Sequence, residues 1–162
     1  LGELCVRGYS VMLGYWEDHE KSGEVIDSAR WMHTGDIAEM DEAGFVKIKG
    51  RIKDVVIRGG ENLFPKEIED FLYTHPDVSD VQVIGLPDAR YGEELCACII
   101  LHEHHEITEE SIRQYCAEHI SHNKVPRYVR FFNEFPMTAS GKAQKFKLQE
   151  FMHNELDLKE IA

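Results

Sequence analysis

The chain has 162 residues, with 18 lysines and arginines against 30 aspartates and glutamates, which gives a formal net charge of −12 at pH 7. A chain this acidic is not expected to bind nucleic acid, because recognition of a phosphate backbone normally requires a basic patch. Its hydrophobic (43%) and charged (30%) fractions are those of an ordinary globular protein, and no apolar run approaches the roughly 20 residues of a membrane helix, so we predict no membrane span.

The chain begins at Leu1, inside an apolar stretch and without a charged-then-apolar leader sequence. Because a natural amino terminus rarely has this character, we expect the chain to be a piece of a longer protein. The cysteines show neither paired CxxC spacing nor a disulfide framework, which predicts small buried thiols in a reducing compartment, and so a cytoplasmic location. They are Cys5, Cys96, Cys98 and Cys116.

Residues 1–52 have the pattern of a β-rich segment. Short apolar stretches broken by glycines predict strands within residues 4–13, and residues 31–40 form a second extended stretch. A polar turn at 41–44 leads to residues 45–49, which alternate apolar and basic side chains as a half-exposed strand does. This piece is too short and too rich in glycine to bury a good core by itself, so we expect it to pack on a missing part of the protein.

From Asp54 onward, strands and helices alternate. Pro65 occupies the favoured first position of a helix, and Thr108 is a suitable N-cap for another. We therefore predict an α+β fold, with a domain boundary near residues 50–54 and a mixed short sheet flanked by helices after it. The predicted strands are 55–57, 78–86, 94–101 and 127–132, and the predicted helices are 65–75, 108–119 and 145–156.

Several short motifs carry the chemistry of the chain, although each of them alone is weak evidence. In this order and spacing they resemble the acyl-adenylate-forming (AMP-binding) superfamily, which includes acyl-CoA synthetases, peptide-synthetase adenylation domains and luciferases. The wording of residues 58–65 and 141–148 is most similar to medium-chain fatty-acyl-CoA ligases. The motifs are residues 2–8, 14–16, 34–36 (Thr-Gly-Asp), 50–54, 59–62 and 136–142.

The resemblance implies a division of the chain into two parts. Residues 1–52 would be the truncated, β-rich end of the large amino-terminal AMP-binding domain, and residues 53–162 the small carboxy-terminal mobile domain. Lys53 matches the family's hinge position, where a residue must absorb large backbone changes between two domain orientations. A surface lysine in a linker is the alternative interpretation of Lys53.

Two residues of the first part are assigned to the nucleotide by the resemblance. Asp36 follows Gly35, and its acceptor-only carboxylate suits the two hydroxyls of a ribose. Arg51 carries a rigid fork of donors that suits ribose and phosphate oxygens. An exposed turn aspartate and a solvated arginine are the alternative interpretations of the two residues.

The resemblance places Arg58, Gly59 and Gly60 in a loop that lines the pantetheine tunnel for CoA, whereas the sequence by itself reads as a tight hairpin turn. It assigns catalysis to Lys142, which follows Ser140 and Gly141 in a loop of small residues. A compact ammonium there would bridge the substrate carboxylate and the α-phosphate of ATP. The alternative for Lys142 is a solvent-facing member of a basic cluster.

The resemblance implies a ligase that activates a fatty, medium-chain carboxylate with ATP and Mg²⁺ to acyl-AMP and then transfers the acyl group to CoA. Because the phosphate loop and the acyl tunnel belong to the absent domain, we expect the isolated chain to be inactive and to bind no cofactor tightly. An adenylation module that delivers its acyl group to a carrier protein is the alternative, and a non-catalytic binding domain is a third reading.

A histidine-rich loop precedes the second predicted helix. Three histidines lie there with two glutamates, but this spacing in a loop is not diagnostic of a metal site, and we predict no metal ion. The loop residues are His102, Glu103, His104, His105 and Glu106.

Overall fold

The computed structural model describes residues 1–103 and 107–157, so His104, His105 and Glu106 of the histidine-rich loop lie outside the described residues. The chain divides into two compact units, Leu1–Lys53 and Asp54–Ala162. Helices and strands alternate in the second unit, and the predicted α+β class is confirmed. Within the described residues, none of the helices has the length and apolar character that crossing a membrane requires.

The first unit is built on an antiparallel sheet in which the three strands are neighbours in chain order. A short helix, α1, lies between the first two strands, and Asp18 caps it by accepting a hydrogen bond from the backbone N–H of Lys21. The elements are β1 (Gly2–Val6), α1 (His19–Val25), β2 (Met32–Met40) and β3 (Val46–Arg51).

Two details of the first unit differ from the prediction. The extended segment expected up to residue 13 is a turn closed by Val11 N–H and Gly8 C=O, and it finds no neighbouring strand to pair with. Helix α1 was not predicted, because none of its side chains is buried and the segment therefore has no apolar periodicity. The turn at 41–44 is confirmed, since the Asp41 carboxylate accepts from the backbone N–H of Ala43 within it and from that of Phe45 directly after it.

The second unit is a five-stranded mixed sheet in the order β5–β4–β7–β6, with β8 parallel to β7. The connection from β7 to β8 passes through α3, as a parallel pair requires. The elements are β4 (Val56–Arg58), β5 (Glu61–Leu63), α2 (Pro65–Leu72), β6 (Val78–Asp88), β7 (Gly92–Leu101), α3 (Glu109–His119), β8 (Tyr128–Phe131) and α4 (Lys145–Glu155).

Helices cover both faces of this second sheet. Alternate residues of β6 and β7 enter two separate apolar clusters, one with α2 and α3 and the other with α4. Cys96 and Cys98 lie on the same face of β7, in the α4 cluster. A hydrogen bond with Cys98 and burial raise the pKa of the Cys96 thiol, and burial raises the pKa of Cys116 to about 11. Cys5 is only half-buried, so the expectation of buried thiols was wrong for this residue.

The starts of the helices follow from local sequence. Pro65 stands at the beginning of α2, where its missing N–H costs nothing. Thr108 and Ser111 form a capping box at α3, each side chain accepting from the backbone N–H of the other. The helices of the second unit are thereby positioned before the core packs.

The packing of α4 gives a stability prediction. Leu148 is about 1% exposed in the α4 cluster, so Leu148→Ala leaves a cavity and should cost about 2–5 kcal/mol. Hydrogen exchange of the β6 amides measures this loss as a smaller free energy of opening. Phe146→Ala is the control on the same helix, because that ring is mostly exposed and its removal should change stability by less than about 0.5 kcal/mol. Equal losses in the two variants would contradict the packing described here.

Candidate functional site

Residues 34–36, the Thr-Gly-Asp segment, form a bulge in the middle of β2. On β1 a single residue separates Glu3 from Cys5, whereas their register partners on β2, Ile37 and His33, are separated by three residues. Gly35 adopts φ +73°, a left-handed conformation that glycine accepts readily. We call residues 34–36 the bulge; Asp36 is its last residue and directly precedes Ile37, where β2 pairs with β1 again.

The two predicted nucleotide residues are brought together by the sheet. Asp36 and Arg51 are register partners across β2 and β3, and Arg51 Nε lies 3.4 Å from Asp36 Oδ1. The Arg51 side chain is 65% exposed, and an ion pair this open contributes less than about 1 kcal/mol. A ligand with hydroxyl or phosphate groups could therefore replace the pair at little cost.

The bulge is bordered by a cluster that sequence reasoning missed. His33 Nδ1 lies 2.8 Å from Glu3 Oε2 and 3.6 Å from Cys5 Sγ, and His33 Nε2 lies 3.9 Å from Asp27 Oδ2. The hydrogen bond between Glu3 and His33 lowers the pKa of Glu3 and raises the pKa of His33. Burial and the charges of Glu3 and Asp27 raise the pKa of Cys5.

The same cluster is the group of described residues whose chemistry suits a metal ion. One ligand atom each from Glu3, Cys5 and His33 lies within 4.8 Å of the other two. Carboxylate, thiol and imidazole are ligands of zinc-type ions. Glu3 already stands in the 2–8 motif and His33 directly before the Thr-Gly-Asp motif, but nothing in the sequence indicated that β1 and β2 pair in this register.

Lys53 is exposed and lies in a 3-10 turn, Ile52–Asp54, where the first unit ends. Its neighbour Asp54 lies 4.0 Å from Lys145 Nζ in the second unit. The side chain of Lys53 is thus free to change its surroundings, and its role as a hinge stays a prediction.

The Gly59-Gly60 segment is the two-residue turn of the β4–β5 hairpin. Arg58 and Glu61 close the turn as register partners, and the glycines adopt φ +60° and +87°, as a type I′ turn requires. A Cβ on Gly59 would lie 3.3 Å from the Tyr91 ring, whereas one on Gly60 would meet nothing within 4 Å. The tip of the hairpin at Gly60 is therefore open.

Arg58 faces into the second unit beneath this turn. Its Nε donates to Glu94 Oε2 at 2.8 Å, and its guanidinium stacks 4.9 Å from the centroid of the Tyr91 ring. Glu94 is only 1% exposed, and the hydrogen bond to it raises the pKa of Arg58. Arg58 thus anchors the hairpin, while its assignment to the CoA tunnel stays a prediction.

The backbone of the hairpin is tied to β7 as well. Gly59 N–H donates to the carbonyl of Tyr91 at 2.8 Å, and Ile57 N–H donates to Glu93 Oε2 at 2.6 Å. Backbone and side-chain bonds therefore fix the base of the β4–β5 hairpin and leave its tip exposed.

Lys142 lies in a second hairpin, residues 137–143, which we call the lysine loop. Thr138 N–H donates to the carbonyl of Lys142, and the Thr138 hydroxyl accepts from Lys142 N–H at 3.0 Å. Gly141 adopts φ +76° at the turn. The backbone of Lys142 is thereby fixed, whereas its side chain is exposed and takes part in no ion pair within residues 1–103 and 107–157.

The lysines near Lys142 do not form one basic cluster. Lys145 Nζ donates to Glu69 Oε1 at 2.6 Å and to the carbonyl of Val83 at 3.1 Å, so this ammonium is tied to the core of the second unit. Lys147 is exposed on α4. The cation presented by the lysine loop is therefore Lys142 alone among these three.

Known proteins share sequence and fold with this chain. The sequence profile of the family described as AMP-binding enzyme C-terminal domain matches residues 67–142. The medium-chain acyl-CoA ligase ACSF2, mitochondrial, of Macaca fascicularis is 56% identical over 157 residues, which are 97% of this chain and 25% of that protein. The chain thus spans about a quarter of the length of the curated relatives it matches.

Solved structures show the same similarity. ATP-bound MatB from Rhodopseudomonas palustris superposes with a TM-score of 0.87 at 34% identity, over 96% of this chain and 31% of that one. A Mycobacterium tuberculosis fatty acyl CoA synthetase matches with a TM-score of 0.67 at 36% identity, over 95% of this chain and 30% of that one.

The buried pair beneath the hairpin gives the next prediction. Glu94→Gln leaves the Arg58 guanidinium without its carboxylate in a site that is largely closed to water, and should cost about 1–3 kcal/mol. Hydrogen exchange of the β7 amides measures the change. The control is Glu67→Gln, which removes an exposed pair with Lys124 and should cost less than about 1 kcal/mol. If both variants open β7 equally, Glu94 does not anchor the hairpin.

Proposed function

We propose that the chain is the carboxy-terminal part of an acyl-CoA synthetase, because the sequence profile of the AMP-binding enzyme C-terminal domain family matches residues 67–142. The parent protein activates a medium-chain fatty carboxylate with ATP and passes it to CoA. The similarity to a medium-chain acyl-CoA ligase over 97% of the chain supports this substrate class. The isolated chain is inactive in this proposal, because the missing amino-terminal domain completes the site.

The reaction has two steps. A carboxylate oxygen attacks the α-phosphorus of ATP, and pyrophosphate leaves with the electrons of the broken P–O bond, which yields acyl-AMP. The thiol of CoA then loses its proton and attacks the acyl carbon, and AMP leaves. ATP enters as its Mg²⁺ complex in this proposal; we assign no residue of the chain to the ion and expect no tightly bound cofactor.

The observation that carries the proposal is the exposed ammonium of Lys142 on a fixed backbone. Negative charge is shared between the carboxylate and the α-phosphate in the transition state of the first step, and a positioned cation stabilises it. The hydrogen bonds of the lysine loop involve its backbone and Thr138, so the ammonium of Lys142 remains available for a ligand. Lys142 is therefore our candidate catalytic residue.

The remaining site residues follow from the same reaction. Asp36 accepts hydrogen bonds from the ribose hydroxyls of the nucleotide, and Arg51 contacts ribose or phosphate oxygens once their mutual ion pair opens. The open tip at Gly60 and its neighbour Gly59 line the path of the pantetheine arm, while Arg58 holds that hairpin in place. A rotation about Lys53 presents Lys142 in the first step and the hairpin in the second.

Two features of the proposal concern partners and location. The open tip of the β4–β5 hairpin has room for a carrier protein as well as for free CoA, so an adenylation module that serves a carrier protein is the second candidate. The free cysteines support a reducing, cytoplasmic location, although the Macaca relative is named as mitochondrial.

The test of the proposal is AMP release by the parent protein with ATP, Mg²⁺ and CoA across carboxylic acids of graded chain length. CoA-dependent turnover with a maximum at medium chain length is the expected result. Exchange of pyrophosphate without CoA-dependent release would point to the carrier-protein function, and no turnover with any acid would overturn a catalytic role.

The proposed role of Lys142 predicts a separation of the two steps. Lys142→Ala should slow pyrophosphate exchange about 100–1,000-fold, because the transition state loses its cation, and should leave thioester formation from supplied acyl-AMP nearly unchanged. The matched control is Lys147→Ala, another exposed lysine, which should retain both steps. Equal loss of both steps in the Lys142 variant would argue against the assignment.

The open hairpin tip predicts the opposite separation. Gly60→Leu should suppress thioester formation at least about tenfold and spare pyrophosphate exchange, because the new side chain meets nothing in its own unit and would obstruct the thiol's path. Gly44→Leu is the control for backbone strain, since Gly44 has φ +86° and equally open surroundings. Strain alone would impair the two variants alike.

A further inference from the structure

The bulge of β2 leaves backbone amides that the regular β1–β2 ladder does not hydrogen-bond. Where two strands are out of register, the extra residues lose their ladder partners, and their amides must find other acceptors. Leu4 alone stands opposite the three bulge residues. Its carbonyl accepts from the Thr34 hydroxyl at 2.7 Å, and the same hydroxyl accepts from Asp36 N–H at 3.1 Å.

Glu3 supplies the acceptor for a second bulge amide, that of Gly35. Its Oε1 accepts from Gly35 N–H at 3.1 Å, while its Oε2 accepts from His33 Nδ1 at 2.8 Å. Both oxygens of one carboxylate thus hold β2 on the two sides of Thr34. The side chain of Glu3 is 27% exposed, so the two bonds are partly shielded from water.

The charges around His33 favour its protonated form. Glu3 and Cys5 face the ring from β1, and Asp27 faces its other nitrogen from the segment between α1 and β2. The guanidinium of Arg7, the residue after β1, lies over the Trp31 ring with its Cζ 4.7 Å from the ring centroid. Protonated His33 therefore has two carboxylates to balance it.

Metal binding is a poorer account of this cluster. Glu3 Oε2 and His33 Nδ1 are already joined by a hydrogen bond, and Glu3 Oε1 is occupied by Gly35 N–H. A cation would have to break the first bond and displace its proton. The hydrogen bonds to the bulge use both oxygens as they stand.

We propose that Glu3 is a positioning residue for the nucleotide site: its carboxylate clamps the bulge to β1 and so fixes the carboxylate of Asp36, and protonation of His33 tightens this clamp. The inference rests on the proposed function, in which Asp36 binds the ribose hydroxyls. Glu3 itself touches no substrate. Its effect reaches the nucleotide through the hydrogen bond from the backbone N–H of Gly35, the residue before Asp36, and through the bond from the His33 ring on the other side of Thr34.

The direction of the pH effect follows from the contacts. The hydrogen bond to Glu3 raises the pKa of His33, so the charge-assisted part of the clamp is complete below the ordinary histidine pKa. It is lost as the pH rises through the raised value. Above that value the neutral ring still donates from Nδ1, but the bond is weaker. Nucleotide affinity should therefore fall as His33 loses its proton.

The kinetic test uses the parent protein and its response to ATP. Loss of an interaction that is equally strong in the ground state and the transition state raises KM and leaves kcat unchanged. Glu3→Ala should therefore raise KM for ATP about tenfold and lower kcat less than about threefold. KM for the carboxylate should not change. Glu3→Gln keeps neutral hydrogen-bonding groups at both positions and should fall between the wild type and Glu3→Ala.

The control is Glu39→Ala on β2, the strand that carries the bulge. It removes an ion pair of the same length, 2.8 Å between Lys49 Nζ and Glu39 Oε2, but Glu39 makes no bond to the bulge within the described residues. This variant should keep the wild-type KM for ATP. A KM that rises equally in Glu3→Ala and Glu39→Ala would reduce Glu3 to a general stabiliser of the sheet and overturn the inference.

The pH profile is the readout that a purely structural role would not move. In the wild type, KM for ATP should rise as the pH passes the His33 pKa, which NMR titration of the ring measures directly. His33→Asn keeps a side-chain nitrogen close to the position of Nδ1 but does not titrate, so its KM should be independent of pH in that range. The same dependence in both proteins would overturn the proton-linked part of the inference.

Failure of the inference is distinguishable from failure of the proposed function. A wild-type protein without ATP-dependent turnover would overturn the proposed function and this inference with it. An active wild type whose KM for ATP does not respond to Glu3→Ala would overturn the inference alone. Recovery of most of the lost affinity in Glu3→Gln would support it, because the geometry of the hydrogen bonds is then retained.

Discussion

The second unit depends on the burial of both faces of β7. Helices pack on each side of this strand, so the residues along it must be apolar and small enough for two separate clusters. Glu94 is the exception, a carboxylate that is almost completely closed to water. It is tolerated because Arg58 donates to one of its oxygens and Arg127 lies 3.9 Å from the other. The ion pair that neutralises Glu94 therefore also helps to fix Arg58 and, with it, the base of the β4–β5 hairpin.

Sequence reasoning recovered the elements whose signal is local. The apolar runs of β6 and β7, the proline that begins α2 and the cap of α3 each contain their own evidence within a few residues. The strand β5 was read as part of a turn, because its three residues acquire a strand conformation only by pairing with β4. Helix α1 has no buried face, and its only signal is the capping aspartate.

The candidate site was predicted as a set of motif residues but not as an arrangement. Asp36 and Arg51 were named separately, and the sheet made them a pair. Arg58 was assigned with its glycine neighbours, yet its guanidinium faces Glu94, a residue 36 positions later that no motif singles out. Glu3 and His33 are 30 residues apart, and their contact depends on a register that the irregular spacing of the bulge sets. Partners of this kind are decided by tertiary pairing, which a single sequence does not reveal.

The candidate groups share an arrangement in which a fixed backbone holds a group that is open to a ligand. In the lysine loop and in the β4–β5 hairpin, the backbone hydrogen bonds are made locally and glycines take the positive φ angles. Among the described residues of the unit, the group at each tip has no fixed partner. The bulge is built differently, because its amides cannot satisfy one another and one depends on a carboxylate from β1. The position of Asp36 thus depends on an ionisable side chain of another strand. The backbone position of Lys142 depends on hydrogen bonds within its own loop. A change in pH should consequently act on the position of Asp36 through the hydrogen bond between Glu3 and His33.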